Sequence, residues 1–211
     1  LKGILATLGL SAAAASMLRF ANSAINAADN IEIIANTASV SASSLQELRF
    51  AFGQLAGTTN RDVDSALRRF NRRLGLAADG SGAAKDTFEN LSIALETAGG
   101  KTRTTEKVLD DLINQLGGIE SDSRRAALAS QAFGEDAGPR LAAAIGEGTG
   151  AINELRDAAV VLEDDLVATG ARIGDELDQI FGDIQTEFQR AFLGNLQENE
   201  QAYREFIATV I

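Results

Sequence analysis

The side chains able to do chemistry in this chain are almost all carboxylates and guanidiniums. Acidic pairs and triplets occur at Asp110-Asp111, Glu163-Asp164-Asp165 and Asp175-Glu176; paired carboxylates can act as general acid and base or hold a hard cation. All three groups lie within or beside stretches of helical period, where a solvated helix face accounts for them, and none fits the Asp-x-Asp-x-Asp-Gly calcium loop. With no histidine, no cysteine and one tyrosine, the usual nucleophile and base pairs cannot form, and a metal site would need oxygen ligands alone. No catalytic, metal or cofactor residue is assigned from the sequence, and the reading is non-enzymatic. A cell-wall glycan hydrolase would need a recognisable Glu-bearing motif and an aromatic sugar platform, and the sequence shows neither.

The basic counterpart is Arg68-Arg69-Phe70-Asn71-Arg72-Arg73, whose arginines pair at i, i+4 on a helix. Contact with phosphate or an acidic tube wall is one reading of Arg68, Arg69, Arg72 and Arg73. The plainer one is a solvated face supporting Asp62 and Asp64. A single aromatic in the run is too little for a base-stacking platform. Residues 1 to 85 carry 9 basic and 6 acidic side chains, a net of +3, whereas residues 86 to 211 carry 10 and 24, a net of −14. Nucleic acid is repelled along most of such a chain, so sequence-specific nucleic-acid binding is not expected.

The elements that must position these groups read as helices. Apolar residues make up 45% of 211, chiefly Ala, Leu and Ile, with one proline, Pro139; that balance favours helix and suffices for a core. Ser43 with Gln46, and Thr59 with Asp62, have the spacing of capping boxes. Behind them Leu45, Leu48, Phe52 and Leu55, then Val63, Ala66, Leu67, Phe70 and Leu74, fall on single helical faces. Leu45, Leu48, Phe52, Phe70 and Leu74 are expected to pack this helical hairpin, with Gly57 and Gly75 as its stops. Further breaks are expected at Gly75 to Gly82, Gly99-Gly100, Gly117-Gly118 and Gly134 to Pro139, giving about six short helices between residues 43 and 160.

In order along the chain stand Ala27-Ala28-Asp29, Ser44-Leu45-Gln46-Glu47-Leu48, the arginine helix, the joint Ala77 to Ala84, Phe88-Glu89-Asn90-Leu91, a Leu/Ile helix, and Arg124 to Gly134 with its Arg-x-Ala-x-Leu and Phe-Gly. That order, from about Asn22 to Leu166, resembles the tail tape-measure proteins of long-tailed bacteriophages and phage-derived tails. At Ser92 the family usually has glycine. The resemblance implies a structural protein that fills the tail tube, sets tail length and leaves ahead of the DNA, assisting its passage across the host envelope. It further implies a homo-oligomer of threefold symmetry, tail tube, tail-tip or baseplate proteins and a tail assembly chaperone as partners, and a place in the virion tail lumen after assembly in the host cytoplasm.

Three regions are expected: an Ala-rich apolar segment over 1–38, the multi-helix region over 39–160, and a long amphipathic helix with coiled-coil tendency over 161–211. The uncharged run Gly3 to Leu18 is shorter than the roughly 20 residues that span a bilayer; burial as an Ala-rich helix is preferred, and a channel-forming membrane protein is the alternative. Leu166, Ile173 and Ile180 are seven apart, as are Leu177 and Ile184, before the stripe moves to Phe188 and Phe192. These seven residues are the expected self-association surface, and Gly170 with Gly174 offers a small face for close helix approach. With Leu1 first and Val210-Ile211 last, the chain reads as a segment of a longer or processed polypeptide.

Overall fold

Hydroxyl side chains start four of these helices, and left-handed residues stop several. The computed structural model describes residues 12–176, 178 and 179, with side chains from residue 21 on except 22. Helices α1 (Ala12–Ala38), α2 (Ala42–Ala56), α3 (Asn60–Ala78), α4 (Lys85–Asn90), α5 (Thr105–Gly117), α6 (Asp122–Phe133), α7 (Gly138–Gly146) and α8 (Thr149–Ala158) follow one another, and residues 164–176 are again helical. Among the described residues the architecture is all-α, and the single extended pairing is an isolated bridge between Glu96 and Thr102.

Thr59 and Asp62 form the full reciprocal capping box at the start of α3. Hydrogen bonds from the Thr59 backbone N–H and hydroxyl hold the Asp62 carboxyl below the usual carboxylate range, helped by Arg140. The expected box at Ser43 and Gln46 does not form. Ser41 caps α2 instead, accepting from the Ser44 N–H, while its own N–H and hydroxyl donate to Glu106 at 2.7 and 2.8 Å. Ser43 falls in the first turn, and its N–H donates to Asp164 at 2.7 Å.

Gly57 ends α2 in the left-handed conformation, with φ +58°. The expected stop at Gly75 is absent: α3 runs on to Ala78 because Leu74 and Ala77 are still buried, and Gly80, at φ +77°, ends it. There Ser81 N–H donates to Leu76 O and Gly80 N–H to Ala77 O, the paired bonds of a Schellman motif. Serine builds the same motif at Ser39, which ends α1, and at Ser92, which ends α4, both with φ +55°. Between residues 42 and 158 the chain forms seven helices rather than about six, with an unforeseen division at Gly146 to Gly148.

Two compact units divide the chain: residues 27–168, and residues 1–26 with 169–211. In the first, Leu45, Leu48, Phe52, Phe70 and Leu74 are all buried. Each such side chain withdrawn from water contributes about 1.5–3 kcal/mol. Phe70 lies at the centre, its ring 6.0 Å from Phe88 and 5.6 Å from Phe133. Fully buried alanines, among them Ala51, Ala66, Ala129, Ala132 and Ala144, let helices approach closely. Helices α6 and α7 come closest: a Cβ on Gly138 would sit 2.5 Å from Ser130 Cα and 2.6 Å from its N. The end of α1 joins this core through Ile34, Ala35 and Ala38.

In the second unit the described residues are 12–26 of α1 and the helical residues 169–176, 178 and 179, with Ala171 buried. A Cβ on Gly174 would lie 2.9 Å from Ile25 Cγ2, so this glycine is where a second helix, α1 of the same chain, comes close. The long C-terminal helix is described only over 164–176, 178 and 179; the rest of its expected course lies outside the described residues.

Candidate interaction surface

Helix α3 turns Val63, Ala66, Leu67, Phe70 and Leu74 into the core and divides its arginines between two jobs. Arg73 reaches the end of α6, where its Nη1 donates to the carbonyls of Ser130 at 2.6 Å and Gln131 at 2.5 Å. Both carbonyls belong to the last turn of α6, where Ser130 O also accepts from the Gly134 N–H at 2.9 Å, so the guanidinium adds a cationic donor at the helix C-terminus. Arg69 pairs with Asp136 at 2.8 Å and lies over Gly134, whose missing Cβ would otherwise meet the Arg69 Cδ and Nη1 at 2.8 Å. Two of the four arginines singled out from the sequence thus belong to the α3–α6 joint.

Arg68 and Arg72 remain exposed, together with Arg61, and none of the three forms an ion pair among the described residues. The expected support of Asp62 and Asp64 by this run does not occur. Asp64 is turned toward α2, where Arg49 meets it at 2.7 Å, and Asp62 pairs with Arg140 of α7 at 3.2 Å. Ser65, Arg68, Arg69 and Arg72 line an open hollow of about 380 Å³. Sequence reading passed over Arg61 because it stands outside the Arg-Arg-Phe-Asn-Arg-Arg run, although spacings of seven and eleven to Arg68 and Arg72 place it on their face.

Three further residues hold the domain together, and of them only Gln46 had an expected role, as a cap partner of Ser43. Asn71 Nδ2 donates to Thr37 O and Ser39 Oγ, and its Oδ1 accepts from Thr105 Oγ1 at 3.0 Å, linking α1, α3 and α5. The buried Arg125 donates to Leu116 O and Ile119 O past the end of α5, and pairs with Asp122 at 2.6 Å. Gln46 grips the extended stretch after α8 twice, donating to Leu162 O and accepting from Leu162 N, each at 3.0 Å.

The acidic groups considered for chemistry are largely occupied by structure. Asp110 pairs with Arg156, Asp111 with Arg103, and Asp164 accepts from Ser43. Among the described residues no cluster of three or more acids is placed to hold a metal ion, and no helix is long and apolar enough to cross a membrane. Most of the Gly3 to Leu18 run lies outside the described residues. Of the expected self-association residues, Leu166 is 58% and Ile173 42% exposed, while Leu177, Ile180, Ile184, Phe188 and Phe192 lie outside the described residues. No known protein family, curated protein or solved structure matches the chain.

Proposed function

We propose that this chain is part of a tail tape-measure protein of a long-tailed bacteriophage or phage-derived tail, a structural protein that fills the tail tube, sets its length and is ejected ahead of the DNA. One observation carries the reading: the sequence pieces that resemble the family, taken in order, become the joints of one folded domain. Gln46 holds the stretch after α8, Arg73 completes α6, Phe88 and Phe133 flank Phe70, and Gly134 makes room for Arg69. Ser92, standing where the family usually has glycine, occupies a left-handed position that glycine adopts without steric cost. Residues recognisable by type therefore act in architecture, which suits an assembly protein better than a catalyst.

The test is to purify tails from a phage producing the polypeptide and identify its peptides by mass spectrometry, then to delete residues 27–168 in frame and measure tails by electron microscopy. As one continuous helix this stretch would span about 210 Å at ~1.5 Å per residue, against a radius of gyration of about 14–15 Å for a folded domain of its size. A shortening of about that length shows the stretch unravelled along the tube; unchanged length with defective assembly shows it working as a folded module. Absence of the polypeptide from purified tails, or normal tails and infection without residues 27–168, overturns the proposal.

A further inference from the structure

On α3, Arg61, Ser65, Arg68 and Arg72 recur at i, i+4, i+7 and i+11, so at ~100° per residue all four fall within a wedge of about 60° and span about 16 Å. The three arginines are exposed and without a carboxylate partner among the described residues, although the unit to which they belong, residues 27–168, carries 14 basic and 22 acidic side chains. Apart from the through-space pull of Arg61 on Asp62, the charge of this stripe faces water without an ion pair among the described residues, amid an excess of acids. We propose that this stripe docks an acidic helical segment of a partner protein.

Three observations favour carboxylates over a nucleic-acid backbone. One of the arginines lining the hollow with Ser65 already pairs with a carboxylate, Arg69 with Asp136 at 2.8 Å. A guanidinium's planar fork matches a carboxylate bidentately, and glutamates on a facing helix recur with the same period as these arginines. The nearest aromatic on α3, Phe70, is fully buried, which leaves no platform for bases on this helix.

Fluorescence anisotropy with the full chain tests this at about 50 mM salt, where screening is weak. The probes are a labelled alanine-based helical peptide with glutamates at i, i+4, i+7 and i+11, the same peptide with glutamines, and a short DNA duplex. The glutamate peptide should bind tightest and weaken about tenfold or more in the Arg61→Glu/Arg68→Glu/Arg72→Glu variant. The milder Arg68→Gln/Arg72→Gln variant should weaken it in the same direction, and Arg124→Glu on α6 should leave it unchanged, with circular dichroism confirming the fold of each. No binding of the glutamate peptide, equal binding of the glutamine peptide, equal loss in Arg124→Glu, or tighter binding of DNA would each overturn the proposal.

Discussion

The α6–α7 pair and the attachment of residues 160–167 to α2 are held in opposite ways. The former rests on backbone lying against backbone at Gly138, on Phe133 and Ala144 fully buried, and on Pro139 fixing the first turn of α7. The latter rests on one buried side chain, Val167, and on hydrogen bonds made near the surface by Gln46, Ser43 and Asp164. Close packing has no substitute partner, whereas a surface hydrogen bond is exchanged for one to water at little cost. The first contact should therefore yield only with global unfolding, and the second by local opening.

The most damaging change should be Gly138→Ala. Its new Cβ would meet Ser130 backbone atoms that cannot swing aside, so a loss of about 3 kcal/mol or more is expected in urea unfolding. Stability within about 0.5 kcal/mol of the parent would show the close approach to be dispensable. Next, Arg125→Ala should cost about 2–3 kcal/mol, because Leu116 O and Ile119 O lose a buried charged donor; Arg125→Lys should recover part of it.

The combined Gln46→Ala/Asp164→Asn variant should cost only about 1 kcal/mol. Its mark is local: hydrogen exchange should quicken over residues 159–167 while α5 stays protected, and equal quickening in both would erase the distinction drawn above. Smallest of all, Ser92→Gly should raise stability by up to about 1 kcal/mol by relieving a left-handed serine. Ser39→Gly should gain less, since Ser39 Oγ also accepts from Asn71.

Asp62 gives the contrast a pH axis. Its folded pKa lies below its unfolded value of 3.8, so its contribution is present above that value and is lost as pH falls through the folded pKa. Between the two values the unfolded chain binds more protons, and stability rises with pH. Asp62→Asn should remove that part of the slope in acid titrations followed by circular dichroism, and an unchanged slope would show that the capping box carries none of it.

Helix α3 was the most legible element because its box and its apolar stripe are both short-range, depending on residues three, four and seven apart. The start of α2 was misplaced by two residues for the opposite reason. Ser39, Ser41, Ser43 and Ser44 all offer a hydroxyl, and Glu106, 65 positions beyond Ser41, settles which one caps. At Arg124-Arg125 the residue types are identical, and only the position of the carbonyls at and just past the end of α5 decides which one turns inward. Of the arginine surface, composition revealed the charge but not its division, since the α6 carbonyls that claim Arg73 and the Asp136 that claims Arg69 come from nearly 60 or more residues away.

The carboxylates on the start of α2 also set an order in time. Ser41 and Ser43 emerge early during synthesis, yet Glu106 and Asp164 follow 65 and 121 residues later, so at ~5–20 residues per second the nascent helix waits on the order of ten seconds for its second acid. Until Ala158 has been made, the apolar faces that carry Leu45, Leu48 and Phe52 lack part of the α6 to α8 set of helices that finally encloses the domain. A growing chain in that condition is exposed to sticking to its neighbours on the same message, and a transient protector bound near the ribosome exit would be most useful between the appearance of α3 and that of α8.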